Sequence, residues 1–222
     1  MDTEQLIRRL AASARPVAPL RRPWIRTVAW CAGAAVYVGV LVLLMPGREG
    51  LQVQLRDPRF LLEQAAGLAT GLAAAGVALA ATVPGYSRRL WRVPLALLGV
   101  WIGAVAVGAW ADVHTAAPGA PWLTSDWPCV AVIVAGASVP GAALVLMLRR
   151  GVPLAPRVTA GLGGLAAAGI GALAACVQPH ASNLVVLLWH GGTVLVLASA
   201  AAFLGTRLLP WPSSRRPAAV IG

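Results

Sequence analysis

Lysine is absent from this 222-residue chain, only seven residues are acidic, and only three are cysteine. Each scarcity excludes something. With 59% hydrophobic residues and a mean hydropathy of +0.76, seven acids beside 18 arginines are too few polar groups to cover a soluble domain of this size. No CxxC, HExxH or paired CxxC spacing occurs, so no motif demands zinc or thioredoxin-like chemistry. The arginines have no interleaved stacking aromatics, which argues against a nucleic-acid partner despite the net charge of +11. Outside the apolar runs no stretch exceeds about 25 residues, too short for a separate globular domain. With lysine missing and Ala, Gly, Arg, Pro, Val and Leu dominant, the codons are GC-rich, which points to a high-GC bacterial genome.

What the chain does have is six long apolar stretches: Trp24 to Met45, Phe60 to Val83, Leu90 to Ala111, Pro128 to Leu148, Val158 to Cys176 and Leu184 to Leu204. Each is near the ~20 residues that a helix needs to cross a bilayer. The expected fold is therefore an all-α membrane protein with six transmembrane helices. The arginines fall in every second gap. Arg8, Arg9, Arg15, Arg21, Arg22 and Arg26 precede or begin the first stretch, Arg88, Arg89 and Arg92 follow the second, Arg149, Arg150 and Arg157 follow the fourth, and Arg207, Arg215 and Arg216 close the chain. The other side has only Arg48, Arg56 and Arg59, offset by Glu49 and Asp57. Basic loops stay in the cytoplasm, so both termini are expected there, in a bacterial inner membrane. Leu44, Met45, Pro46 and Gly47 offer no small-x-small cleavage site, so the first stretch reads as an uncleaved anchor.

The expected organisation is a cytoplasmic arm over residues 1–23, a bundle over 24–209 and a tail over 210–222. In the arm, Asp2 and Gln5 start a short helix; Leu6, Ile7, Leu10 and Ala14 form an apolar stripe opposite Arg8, Arg9 and Arg15, and Pro16 and Pro19 end it. Such a helix either rests on acidic membrane lipid or docks a protein. Gly67 to Gly71, Gly99 to Gly103, and Gly161, Gly163, Gly164 and Ala168 supply small faces for close helix packing. Arg88-Arg89 with Val93-Pro94-Leu95-Ala96 is echoed by Arg149-Arg150 with Val152-Pro153-Leu154-Ala155. This is either a duplicated hairpin or the ordinary appearance of a cytoplasmic turn.

Cys129 opens the fourth stretch and Cys176 closes the fifth, so topology places both thiols at the periplasmic face; Cys31 lies within the first. The periplasmic pair are candidate sensing thiols, open to oxidation or to a soft metal ion, with plain packing as the alternative. His114, Asp126, His180, Glu63 and His190 share that side. His180, His190 and Glu63 are candidate additional metal ligands. The alternatives are a cross-helix hydrogen bond for His190 and a shallow, snorkelling position for Glu63. No permanent cofactor is expected, only a transient soft or heavy metal ion.

Several short motifs together resemble the NrsF-type membrane anti-sigma factors, negative regulators of an extracytoplasmic-function sigma factor. They are Thr3, Leu6, Ile7, Leu10, Pro16, Val17, Leu20 and Arg22 in the arm; Asp57, Pro58, Phe60, Leu61 and Glu63 opening the second stretch; Val83-Pro84-Gly85 with Arg88 and Arg89 at its exit; Trp127 with Cys129; Cys176; and Trp189 with His190. The resemblance implies that the arm, through Leu6, Ile7, Leu10, Arg8 and Arg9, holds a sigma factor at the membrane. It also implies that Cys129 and Cys176 match the family's two periplasmic cysteines, which take part in responding to heavy metals. Cys31 matches neither. A homodimer is compatible with this reading.

Three other classes fit the residues less well. Gly136-Ala137-Ser138 with His190 is similar to part of an intramembrane serine protease, but Ser138 should lie about 15 Å deep against about 9 Å for His190, and the second stretch has no oxyanion-stabilising Asn or His. A small multipass transporter would need charges at mid-membrane, and stretches three to five have none within their apolar interiors. A thiol–quinone redox enzyme would need a second cysteine pair.

Overall fold

The computed structural model describes residues 2–13, 20–45, 51–115, 125–178 and 182–210. Among them the secondary structure is helical, with no strand, and six helices are long and apolar enough to cross a membrane. A short helix α1 (Thr3–Ser13) precedes the first span, α2 (Pro23–Leu44). A four-residue turn α3 (Leu51–Gln54) leads to the second span, α4 (Pro58–Ala80). The third, fourth and fifth spans are α5 (Arg92–Thr115), α6 (Trp127–Arg149) and α7 (Pro156–Ala175). The sixth joins α8 (Asn183–Val185), a π-helical segment Val186–Gly191 and α9 (Gly192–Phe203), followed by α10 (Gly205–Leu208). The sequence-derived spans match these to within a few residues.

Local chemistry explains the starts. Pro23, Pro58, Pro128 and Pro156 occupy the first or second helical position, where the missing N–H costs little. Asp57 also caps α4, accepting from the Arg59 N–H at 2.9 Å. Gly85 has φ +86°, a left-handed conformation that suits glycine in the turn out of the second span.

The fifth span is the centre of the bundle, packing against the first, second, fourth and sixth. It can do so because it is built of Ala and Gly. A Cβ on Gly136 would come within 2.8 Å of Gly171 Cα, and one on Gly164 within 2.6 Å of Ala201 Cβ, so backbones touch on both sides. The expected face at Gly161–Ala168 is used this way, while at Gly67–Gly71 the contacts are looser: a Cβ on Gly71 would meet the Ala166 carbonyl and one on Gly67 the Trp101 ring, both at 3.5 Å. Gly99 and Gly103 make no such contact: a Cβ on either meets nothing within 4 Å, so that face packs against no described neighbour. The first span docks on the fourth through polar bonds. Trp30 Nε1 donates to the Pro140 carbonyl at 2.9 Å and the Tyr37 hydroxyl to that of Ala135 at 2.9 Å, beside the proline that interrupts the ladder of α6.

The two echoed turns are neighbours: Val152 N–H donates to the Thr82 carbonyl at 3.4 Å. Next to them Arg26, nine-tenths buried, donates to Thr82 Oγ1 at 3.0 Å and to the Met147 carbonyl. Arg149 Nε donates to the Leu208 carbonyl at 2.7 Å. The arginine-rich end is thus stitched by guanidinium-to-oxygen bonds. On α1, Leu6, Ile7 and Leu10 are all exposed, while Ala14, Arg15, Pro16 and Pro19 lie outside the described residues, as do 211–222 of the tail.

Candidate functional site

Cys129 is the third residue of α6 and 1% exposed. Just before it, Asp126 holds the N-cap position without making a side-chain cap bond. Its carboxylate instead lies against the Cys129 thiol. Cys176 is the C-cap of α7 and His190 sits in the π-helical segment of span six. That segment matters because a π turn re-aims the side chains of one helical turn, and π-bulges recur at functional sites. Here it leaves His190 completely buried and sets Trp189 against Trp127, ring centroids 5.7 Å apart.

Three elements therefore converge. One potential ligand atom each from Asp126, Cys129 and His190 lies within 4.8 Å of the others. Cys176 Sγ is 3.7 Å from His190 Nδ1, and Cys129 Sγ is 3.7 Å from the Gln178 side-chain oxygen. All three cysteines are free thiols. A carboxylate, a thiol and an imidazole at this spacing suit a borderline or soft divalent cation, with a second thiol in contact with the imidazole.

The remaining predicted positions divide. Glu63 is 6% exposed, so it is buried rather than snorkelling: it faces the bundle, close enough to Cys176 to interact, and its Oε1 has no hydrogen-bond partner among the described residues. His114 is exposed, stacked on Trp110 and bonded to the Trp110 carbonyl of its own helix, apart from the thiols. His180 lies outside the described residues. Cys31 packs half-buried against the core of the first span. Ser138 donates to the Ala135 carbonyl of its own helix and is exposed, nine residues along α6 from Cys129, or about 13 Å. It does not meet His190, so no serine–histidine pair forms. Nothing in the linear sequence singles out Asp126, and only its missing cap bond and the π turn that brings His190 to it reveal its part.

Residues 10–211 match the family described as negative regulator of sigma F, NrsF. The chain belongs to the NrsF family. The match takes in all six spans and every member of the cluster, whereas of the arm residues Leu6, Ile7, Arg8, Arg9 and Leu10 only the last falls within it. No curated protein matches the chain, and no solved structure does. NrsF membership implies negative regulation of a sigma factor, with a sigma-factor protein as partner and a regulatory rather than catalytic role.

Proposed function

We propose that this NrsF-family protein is a bacterial inner-membrane anti-sigma factor, with both termini cytoplasmic, whose arm (residues 1–23) sequesters an extracytoplasmic-function sigma factor. Release follows when the thiols of Cys129 and Cys176 meet a heavy metal or an oxidant in the periplasm. The arm offers the exposed stripe Leu6, Ile7 and Leu10 between Arg8 and Arg9, a face that fits a groove with an acidic rim, and the same arginines bind anionic lipid when the groove is absent.

The observation that carries this reading is that span four holds the cluster at one end and the anchor of the arm at the other. Cys129 opens it, and about 27 Å further on the Met147 carbonyl accepts from Arg26, three residues beyond the arm. Between them the first span is bonded to span four through Trp30 and Tyr37. A cation shared by Asp126, Cys129 and His190, with Cys176 beside it, fixes span four against span six. Closely packed helices answer as semi-rigid bodies with discrete arrangements, and the first span follows span four. Moving a partner from mostly held to mostly free takes roughly 5 kcal/mol of differential binding, within reach of a metal–thiolate site.

Two measurements test it. The intact protein, gently solubilised, is expected to co-purify a sigma factor, and a form lacking residues 1–23 to lose it entirely. With Cys129→Ser and Cys176→Ser combined, the sigma factor should stay bound on cadmium challenge. Release equal to that of the parent would place the switch elsewhere.

A further inference from the structure

Among the described residues, span three packs along span two and meets span six mainly around residues 183–191. Below that meeting point the helices part. The result is a crevice of about 970 Å³ between spans two, three, five and six, at the upper end of the roughly 300–1,000 Å³ of small-molecule pockets. Along α4 it runs from Gln64 to Ala81, about 25 Å, most of the thickness of a bilayer's hydrocarbon core. Its walls are Leu, Val, Ala, Gly and Trp over most of that length.

Polar side chains line both ends, Gln64, Cys176 and His190 at the thiol cluster and a cation, Arg157, at the arginine-rich mouth. Tyr86 and Ser87 line that mouth too, together with the first turn of α7. That turn has no side-chain cap, so the N–H groups of Arg157 and Val158 have no helical acceptor. In a helix of 20 residues they form a natural anion site. Thr159 adds an independent sign of a missing ligand: it is 1% exposed, it lines the crevice, and its Oγ1 has no hydrogen-bond partner among the described residues. A threonine in a helix ordinarily bonds back to a carbonyl of the preceding turn, so an orphaned hydroxyl on the crevice wall, in the same first turns of α7 as Arg157, awaits an acceptor. In a bilayer an apolar crevice open to hydrocarbon is filled by lipid.

We infer that the crevice is a binding site for one anionic glycerophospholipid, its phosphate held by Arg157, Thr159 and the start of α7 and its acyl chains running toward Cys176 and His190. The charge pattern selects the lipid. Outside the arm, no acidic residue falls in any arginine-rich segment, so no carboxylate of the bundle's own loops competes for Arg157 at that mouth. A lipid seated there wedges span three against span six and closes the hydrocarbon side of the thiol cluster, so ions reach it from the aqueous side.

Native mass spectrometry on the delipidated full-length protein, supplied with dioleoyl phosphatidylglycerol or dioleoyl phosphatidylcholine, tests this. One phosphatidylglycerol per chain should be retained at collision energies that strip phosphatidylcholine. Arg157→Gln should weaken retention about tenfold, the worth of one charge-assisted hydrogen bond. Gly192→Leu should do the same by filling the crevice, since a Cβ there meets nothing within 4 Å. Equal retention of the two lipids by the unsubstituted protein would overturn the site, and needs no variant to fold. So would undiminished phosphatidylglycerol on Arg157→Gln, no retained lipid at all, or a lipid-free dimer, which would give the crevice to a second copy of the chain.

Discussion

At the arginine-rich end, Arg26 donates to Thr82 and Met147 and Arg149 to Leu208, whereas at the opposite end a carboxylate, a thiol and an imidazole converge within 4.8 Å of one another. Guanidinium-to-carbonyl bonds hold no group that titrates near neutral pH, binds a soft cation or changes oxidation state. The cluster at the other end holds two thiols and an imidazole, groups that can do these things. Among the described residues outside the arm, the acids Asp57, Glu63, Asp112 and Asp126 all belong to that second end. The bundle therefore has one end stitched by permanently charged groups and one with reactive groups, the division on which the proposed function rests.

That division can be broken or sharpened by substitution. The largest effect is expected at the reactive end: if His190 is a ligand as proposed, His190→Ala should weaken cadmium binding by at least ~10–100-fold by isothermal titration. Affinity equal to the parent's would leave the thiols as the whole site. At the stitched end Arg26→Gln removes a charged donor to Thr82 and Met147, at a cost of about 2–3 kcal/mol in thermal unfolding. Its cadmium affinity should stay unchanged while release of the sigma factor is impaired. If Arg26→Gln alters metal affinity instead, the two ends are not separable. Between the ends, Gly136→Leu opposite Gly171 should destabilise by about 1–3 kcal/mol through overpacking. The smallest effect is expected for Gly99→Ala, which meets nothing and should stabilise by under ~1 kcal/mol through helix propensity.

Why the cluster was only half legible follows from these residues. Cys129 and Cys176 could be assigned to one face because span direction alternates, a property of the linear order. His190 and Glu63 could be assigned a depth for the same reason. Which of them touch depends on the rotation of each helix about its axis, and in an apolar span every face reads alike. The π turn at Val186–Gly191 changes that rotation within one helix, and no residue type announces it. The pairing of Gly136 with Gly171 was hidden by the number of other glycines able to make such a contact, as Gly99 and Gly103, which make none, illustrate.

Hydrophobic length and arginine spacing, being one-dimensional quantities, were enough to set the number of spans, their approximate limits, and the shared end of the bundle at which Cys129 and Cys176 lie. Placing the fifth span at the centre, bringing Asp126 and His190 to Cys129, burying Glu63 and opening the crevice beside span three all required the folded chain. These depend on how helices turn and lean against one another, and backbone contact between small residues settles that only when the whole bundle closes.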